Sequence, residues 1–431
     1  MKSWARFSKS WLLPALEPIH AMHDLNFLVR EPLVDPKQQI VGFEFTVQHP
    51  LSDREIATAT DDFRALASFT ALQLQDEEQK WQLGALKIFL KAAPALLECE
   101  EVLALPPKNI VLIVRLADLA DPEILAAVKR LRVKGFGISF SDAANIAQDK
   151  TLLPLATHLE IHFATTDFAT QAKIYAALKH SSVCMIARQI GTWQEFDSCA
   201  SLGLDAFIGN LYLKPHEAGN DQVKKGVNPA QGLILQLMDM VRKNAEVRQL
   251  EDVLRRDAAL SYKLLRYINS AGFGLGTEIQ SLRHAVAMLG YSPLYRWLSV
   301  LLATASTEDQ SAILMQTAIV RARFAELIGA TFLPKNEAEN LFVVGMFSLL
   351  DRLLGVPMEE VLDQIQLAEP VIQALLNRQG MYGPFLKLAE ACEFDNGPVA
   401  DLAESLFISP DKVNQAHRDA LVWAQNLGLN N

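Results

Sequence analysis

Short apolar runs recur through the first half of the chain, and stretches of helical periodicity separate them. Ile110 to Val114 is a continuous apolar run, the pattern of a strand buried on both faces. Pro122 to Val133 then places Ile124, Leu125, Val128 and Leu131 on one helical face. Gly135 to Phe140 predicts the next strand. Leu159, Ile161 and Phe163 alternate with Glu160 and His162, and Val183 to Ala187 and Asp205 to Ile208 predict two more. From Ile110 onward these strands begin about 21 to 27 residues apart, the spacing of successive βα units in a parallel barrel.

The pattern changes after Pro215. Residues 216–227 contain Gly219, Asn220, Asp221, Lys224, Lys225 and Gly226 and read as a linker. Asn228 suits a helix N-cap, with Pro229 at the first helical position. Leu233, Ile234, Leu237, Met238 and Val241 form one apolar stripe, and Leu260, Leu264, Leu265 and Ile268 form another. Gly272, Gly274 and Gly276 read as a turn. Ser281 to Leu289 predicts a helix that ends in a left-handed Gly290, and Pro293 suits the opening of the next. Helices are expected over Val344–Leu354, Met358–Ile365 and Glu369–Leu376. The expected fold is an α/β barrel followed by an all-α domain. The boundaries are an extension over 1–26, a barrel over 27–215, a linker over 216–227 and a helical domain over 228–431.

Composition narrows the function. Half of the 431 residues are hydrophobic and the formal net charge is −10. Residues 1–225 hold 23 Lys and Arg against 27 Asp and Glu, leaving 17 against 23 in the remainder. Neither half offers the dense basic face that a phosphate backbone needs, so no nucleic acid partner is expected. Cys99, Cys184, Cys199 and Cys392 are widely spaced and form no CxxC pair, as small core residues in a reducing compartment do. No apolar stretch spans a bilayer, and a cytoplasmic protein is expected. Trp4, Phe7 and Trp11 are read as packing onto the protein rather than onto a membrane. There is no GxxxxGK[ST], GxGxxG after a strand, GxSxG or HExxH.

The region from Phe27 to Pro215 resembles the EAL domain of bacterial cyclic-di-GMP phosphodiesterases. Leu28 to Asp35 is similar to its opening strand. Gly42-Phe-Glu-Phe-Thr-Val-Gln48 stands where the Glu-Ala-Leu motif belongs, with Glu44 at the glutamate and Gln48 where the family places a phosphate-gripping arginine. The resemblance implies metal ligands at several strand ends, and this chain departs from most of them. Lys87 to Lys91 lacks the expected asparagine, and Ile113 lies in a strand without the expected glutamate. The Asp-Asp pair becomes Ser141-Asp142, the Lys-x-Asp pair becomes Glu160-Ile-His162, a glutamate becomes Gly191, and a glutamine becomes Ile208. Of the metal set only Glu44 and Asp142 remain, while Gly209, Lys214 and Pro215 match the closing segment of the family. Two closely spaced metals need roughly six to eight protein oxygens, so no catalytic residue, metal or cofactor is assigned. Glu44 is expected to bond backbone donors, and Glu160 and His162 to meet neighbours or line a wet pocket.

The region from Asn228 to Asn426 resembles the HDOD domain, a helical relative of the HD hydrolases. Arg256 to Ser270, Ser281 to Gly290 and Gly345-Met-Phe-Ser-Leu-Leu-Asp351 carry the likeness. Ser348 and Leu349 fall where HD enzymes hold their His-Asp dyad. His284 is expected to be structural, and Asp351 to cap a helix or pair with Arg352 or Arg323. The resemblance implies a non-enzymatic signalling regulator linked to motility, surface attachment or biofilm, with other signalling proteins as partners. Cyclic-di-GMP binding is not expected, because few cations face the mouth; a non-hydrolysing nucleotide sensor and a residual phosphodiesterase are the alternatives. Arg255, Arg256, Lys263, Arg266, Arg283 and Arg296 form a candidate basic surface, and Tyr291 and Trp297 are candidate aromatic anchors. Oligomeric state is left open.

Overall fold

A computed structural model describes residues 26–50, 58–75, 81, 83–142, 146, 151–162, 168–214, 228–269, 279–305, 312–363, 365, 367–394 and 397–427. The N-terminal residues Trp4, Phe7 and Trp11, the linker 216–227 and the Gly272–Gly276 turn lie outside these residues.

Eight strands close a barrel in sequence order: β1 (Phe27–Val34), β2 (Ile40–Gln48), β3 (Lys87–Lys91), β4 (Ile110–Arg115), β5 (Gly137–Ser141), β6 (His158–His162), β7 (Cys184–Arg188) and β8 (Ala206–Ile208). The barrel is not wholly parallel, as the strand spacing had suggested. β1 runs antiparallel to both β2 and β8. Residues 35–39 are too few for the crossover that a parallel pair requires, so β1 and β2 form a hairpin. Asp35 Oδ1 closes that turn by accepting from the Lys37 and Gln39 N–H groups at 2.8 Å each. Helices α1 (Ala59–Gln75), α2 (Glu100–Leu103), α3 (Pro122–Val133), α4 (Phe168–Leu178) and α5 (Trp193–Leu202) follow strands in this half. Strand alternation sends Leu33, Phe89, Val111, Ile113, Ile186, Ala206 and Ile208 into the lumen, where they form a small apolar plug.

The remainder is helical: α6 (Pro229–Arg242), α7 (Val247–Leu254), α8 (Ala258–Ile268), α9 (Leu282–Leu289), α10 (Tyr291–Thr304), α11 (Ala312–Gly329), α12 (Lys335–Phe347), α13 (Leu350–Leu354), α14 (Met358–Asp363), α15 (Glu369–Asn377), α16 (Gly383–Ala391), α17 (Val399–Ser405) and α18 (Pro410–Asn426). Asn228 caps α6 as expected, its side chain accepting from the Gln231 N–H while Gln231 reaches back to the Asn228 N–H. Two expectations change. Gly290 has φ 86° but ψ −177°, so it joins α9 to α10 instead of ending α9 left-handed, and α10 opens at Tyr291 rather than Pro293. The expected helix Val344–Leu354 breaks at Ser348-Leu349. The Ser348 hydroxyl donates to the Gly345 carbonyl at 2.7 Å, competing with the helical ladder there. Gly345 also marks a close approach of α12 to α11. A Cβ at that position would clash with the backbone of Ala322 and Arg321 on α11.

The two halves meet through a buried polar seam. Arg30 on the outer face of β1 is 4% exposed, and its Nε donates to His417 Nε2 on α18 at 2.8 Å. Asn414, one turn earlier, accepts from the Leu28 N–H at 2.8 Å and donates to the Asn26 carbonyl at 2.6 Å. The Arg30 N–H donates to the Cys392 carbonyl at 3.2 Å. Burial, then the charge of Arg30, holds His417 down at about 3, so it stays neutral and accepts.

Candidate functional site

The C-terminal ends of the parallel strands form one mouth, and alternation decides which side chains face it. Glu44 pairs in register with Phe89, and Glu160 with Ile186, both luminal positions. Glu44, Glu160 and Arg188 therefore share the inner face. Arg188 NH1 donates to Glu44 Oε2 at 2.6 Å and NH2 to Glu44 Oε1 at 2.9 Å. The same guanidinium lies 3.4 Å from Glu160 Oε1. Glu160 Oε1 also accepts from the Ser139 hydroxyl at 3.1 Å. The sequence predicts backbone donors at Glu44; instead an arginine from across the barrel holds it in a bidentate fork.

The charges in this mouth are unequal. Glu160 is 3% exposed, and burial, opposed by Arg188 and reinforced by Glu44, pushes it up to about 7. Burial alone would lower Arg188, but Glu44 and Glu160 outweigh it and hold it above the usual arginine range. His162 is lowered by burial and by Arg188. One guanidinium thus forks onto both Glu44 oxygens and reaches Glu160 through a single longer contact.

The other barrel positions disperse. Ile113 and Ile208 belong to the apolar plug. Ser141 ends β5, and Asp142 follows it at φ 54°. Gly191 lies beyond β7, where its N–H donates to Glu195 Oε2 at 2.8 Å. Gln48 reaches across to the helical half, donating to the Phe394 carbonyl and accepting from the Val399 N–H, each at 3.3 Å. It is part of the seam between the halves.

The helical half holds a second site of the same kind. Ser348, 3% exposed, accepts from Arg321 NH1 at 3.1 Å. Arg321 forks onto Glu393 at 2.7 and 2.8 Å and meets Glu390 at 3.1 Å. Leu349 is buried beside it. Asp351 pairs with Arg352 at 2.8 Å, one of the partners expected.

The expected interaction surface does not hold together. Trp297 is fully buried and stacks on Tyr267, because the apolar face of α10 points into the core. Arg296 turns inward, forking onto Glu326 at 2.6 and 2.8 Å and lying 3.9 Å over the Phe342 ring. Tyr291 donates to the Ala245 carbonyl at 2.7 Å. Arg283 pairs with Glu251 at 3.2 Å, and Arg266 lies near Tyr267. Arg188 and Arg321 escaped the sequence reading. Cys184, Ile186 and Arg188 share one face of an alternating strand, a signal that was present. Arg321 had none, sitting in a helix that is apolar nearly all round.

The HDOD domain family matches residues 229–365. The helical half contains an HDOD domain. Along nearly its full length the chain is similar to two curated proteins. One is the uncharacterized protein YuxH of Bacillus subtilis, 23% identical over 93% of this chain and 98% of that one. The other is the cyclic di-GMP phosphodiesterase CdgJ of Vibrio cholerae, 24% identical over 97% of this chain and 96% of that one. Among solved structures, the PaMucR phosphodiesterase in complex with c-di-GMP aligns at 18% identity and a TM-score of 0.34, covering 42% of this chain and 93% of that one. An EAL domain protein from Listeria monocytogenes aligns at 12% identity and a TM-score of 0.34, covering 44% and 87%. The barrel that precedes the HDOD domain is established by its own closed sheet.

The described residues of the barrel mouth do not offer a ligand set for a pair of divalent cations. Glu44 spends both oxygens on Arg188, Glu160 is pushed toward its neutral form, and Ile113 offers no donor. Among the described residues no group of three His, Cys, Asp or Glu could hold a metal ion. No helix among them is long and apolar enough to cross a membrane.

Proposed function

We propose that this chain is a non-enzymatic regulator within cyclic-di-GMP-related signalling, acting through protein contacts in the control of motility, attachment or biofilm. Its parts are a degenerate EAL-like barrel over 27–215 and an HDOD region over 228–431. One observation carries the reading. The Arg188 guanidinium sits between Glu44 and Glu160, at 2.6 Å and 3.4 Å, and supplies from the protein itself the positive charge that a hydrolase of this type takes from metal. A fixed guanidinium neutralises carboxylates but cannot bind and deprotonate a water as a divalent cation does.

CdgJ is named a phosphodiesterase, and a shared activity is the competing reading. Purified full-length protein is incubated with cyclic-di-GMP and Mg²⁺ or Mn²⁺, and the linear product is followed by chromatography. No turnover above buffer is expected. Turnover that Glu44→Ala abolishes would overturn the proposal. Calorimetry with cyclic-di-GMP and Ca²⁺ separates scaffold from sensor: saturable micromolar binding without turnover would replace the scaffold reading with a sensor.

A further inference from the structure

Part of the basic surface does stay outward, on α8. Ala259, Tyr262, Lys263 and Arg266 fall at i, i+3, i+4 and i+7 and are all exposed. Leu260, Leu264 and Ile268 bury the opposite side of the helix. Arg255 and Arg256 are exposed in the turn that leads into it. Tyr262 is 67% exposed, so its ring stands in water among these cations.

Arginines elsewhere on this surface hold carboxylates. The exposed Arg64, Arg115, Arg130 and Arg283 each pair with one. Among the described residues, the exposed arginines without such a partner are Arg242, Arg248, Arg256 and Arg266, all between the end of α6 and α8. Residues 242–269 hold seven Lys and Arg against four Asp and Glu, in a chain of net charge −10. Three of those acids are already engaged: Glu251 by Arg283, Asp252 by Arg255, and Asp257 by the Leu260 N–H. The surplus of positive charge is therefore local and unspent.

Its chemistry favours carboxylates on a short segment. Arginine forks match carboxylate geometry, and an exposed tyrosine among arginines is the composition of an interface centre. Ala259 to Arg266 spans about 10 Å of helix, which three or four extended residues cover. A long polyanion would run on past α8 and meet a chain of net negative charge that repels it. A membrane would need an apolar stripe beside the cations, and this face offers one tyrosine ring and Ala259.

We propose that the exposed face of α8 docks an acidic segment of a partner protein, its carboxylates in the forks of Arg256 and Arg266 and an apolar side chain against Tyr262. This rests on the protein-contact reading and names the chemistry of the contact. Fluorescence anisotropy on the full chain at low salt uses a labelled peptide of alternating Glu and Asp around a central Phe. The controls are the same peptide with Gln and Asn, an oligouridylate RNA, and phosphatidylserine vesicles in cosedimentation. The acidic peptide is expected to bind saturably below millimolar concentration, at least about tenfold more tightly than its amide form. Arg256→Glu with Arg266→Glu should weaken it at least about tenfold, and Tyr262→Ala severalfold. Lys129→Glu with Lys335→Glu makes the same change of net charge at exposed sites elsewhere and should leave binding within about twofold. Absence of saturable binding would overturn the proposal, as would equal losses from the two charge-reversed pairs or no loss from Tyr262→Ala. Tighter binding of the RNA or the vesicles than of the peptide would overturn the partner class. Turnover of cyclic-di-GMP would sink the regulator reading without moving peptide affinity, whereas failed peptide binding would leave a regulator with a different contact surface.

Discussion

Glu44 and Glu160 occupy one mouth, yet the same substitution should move stability in opposite directions. Glu160 is at about 7 in the folded protein against an ordinary 4.5. Between those values the folded state binds more protons than the unfolded state, so stability is full below pH 4.5 and falls as pH rises to 7. The displacement corresponds to about 3 kcal/mol at pH 8 and under about 1 kcal/mol at pH 5. Glu160→Gln mimics the neutral acid. It should stabilise the protein by about 1–3 kcal/mol at pH 8, change little at pH 5 and flatten the intervening profile. Glu44→Gln removes the charge and one of the two acceptor oxygens of a bidentate arginine fork at 2.6 and 2.9 Å, and turns an NH₂ donor toward the guanidinium. It should destabilise by about 2–4 kcal/mol, with Glu160 left as the partial counter-charge of Arg188. Urea unfolding of both variants at pH 5 and pH 8 measures the difference. Destabilisation by Glu160→Gln at pH 8 equal to that of Glu44→Gln would refute the division of charge described for this mouth.

Arg321→Met should cost about 3–5 kcal/mol in urea unfolding, because it strands the buried Glu393 carboxylate, and adding Glu393→Met should recover most of the loss. Asn414→Ala should cost about 1–3 kcal/mol and speed hydrogen exchange at the Leu28 amide, whose acceptor it removes. Gly345→Ala should cost at least about 1–3 kcal/mol, since the obstacle is α11 backbone and cannot rotate away. Mg²⁺ or Mn²⁺ at millimolar concentration should leave the unfolding midpoint where it is, because a ligand stabilises only through a site in the folded state.

The barrel was legible because its strands are short, apolar and evenly spaced, and the helical half because its stripes keep a 3.6-residue period. The antiparallel β1 was also open to inference: no crossover fits between Val34 and Ile40, and even spacing alone concealed this. Site chemistry was harder to read. The pairing of Glu44 spans 144 residues and no local rule announces it. Arg188 was readable only by extending the alternation of β7 to its last residue. Arg296 and Trp297 looked like surface candidates because a helix that is buried on most sides gives no polar face to set them against.

Arg30 and His417 are 387 residues apart in sequence. During synthesis, the eight strands are complete before α18 exists, so the outer face of β1 must wait, with Leu28 and Arg30 lacking their final partners, until about 200 further residues have been made. Contacts of such separation form late and slowly. A ribosome-bound chain that ends before residue 410 should therefore carry a closed but unfinished barrel, and this interval, rather than the folded protein, is when chaperones would meet the chain.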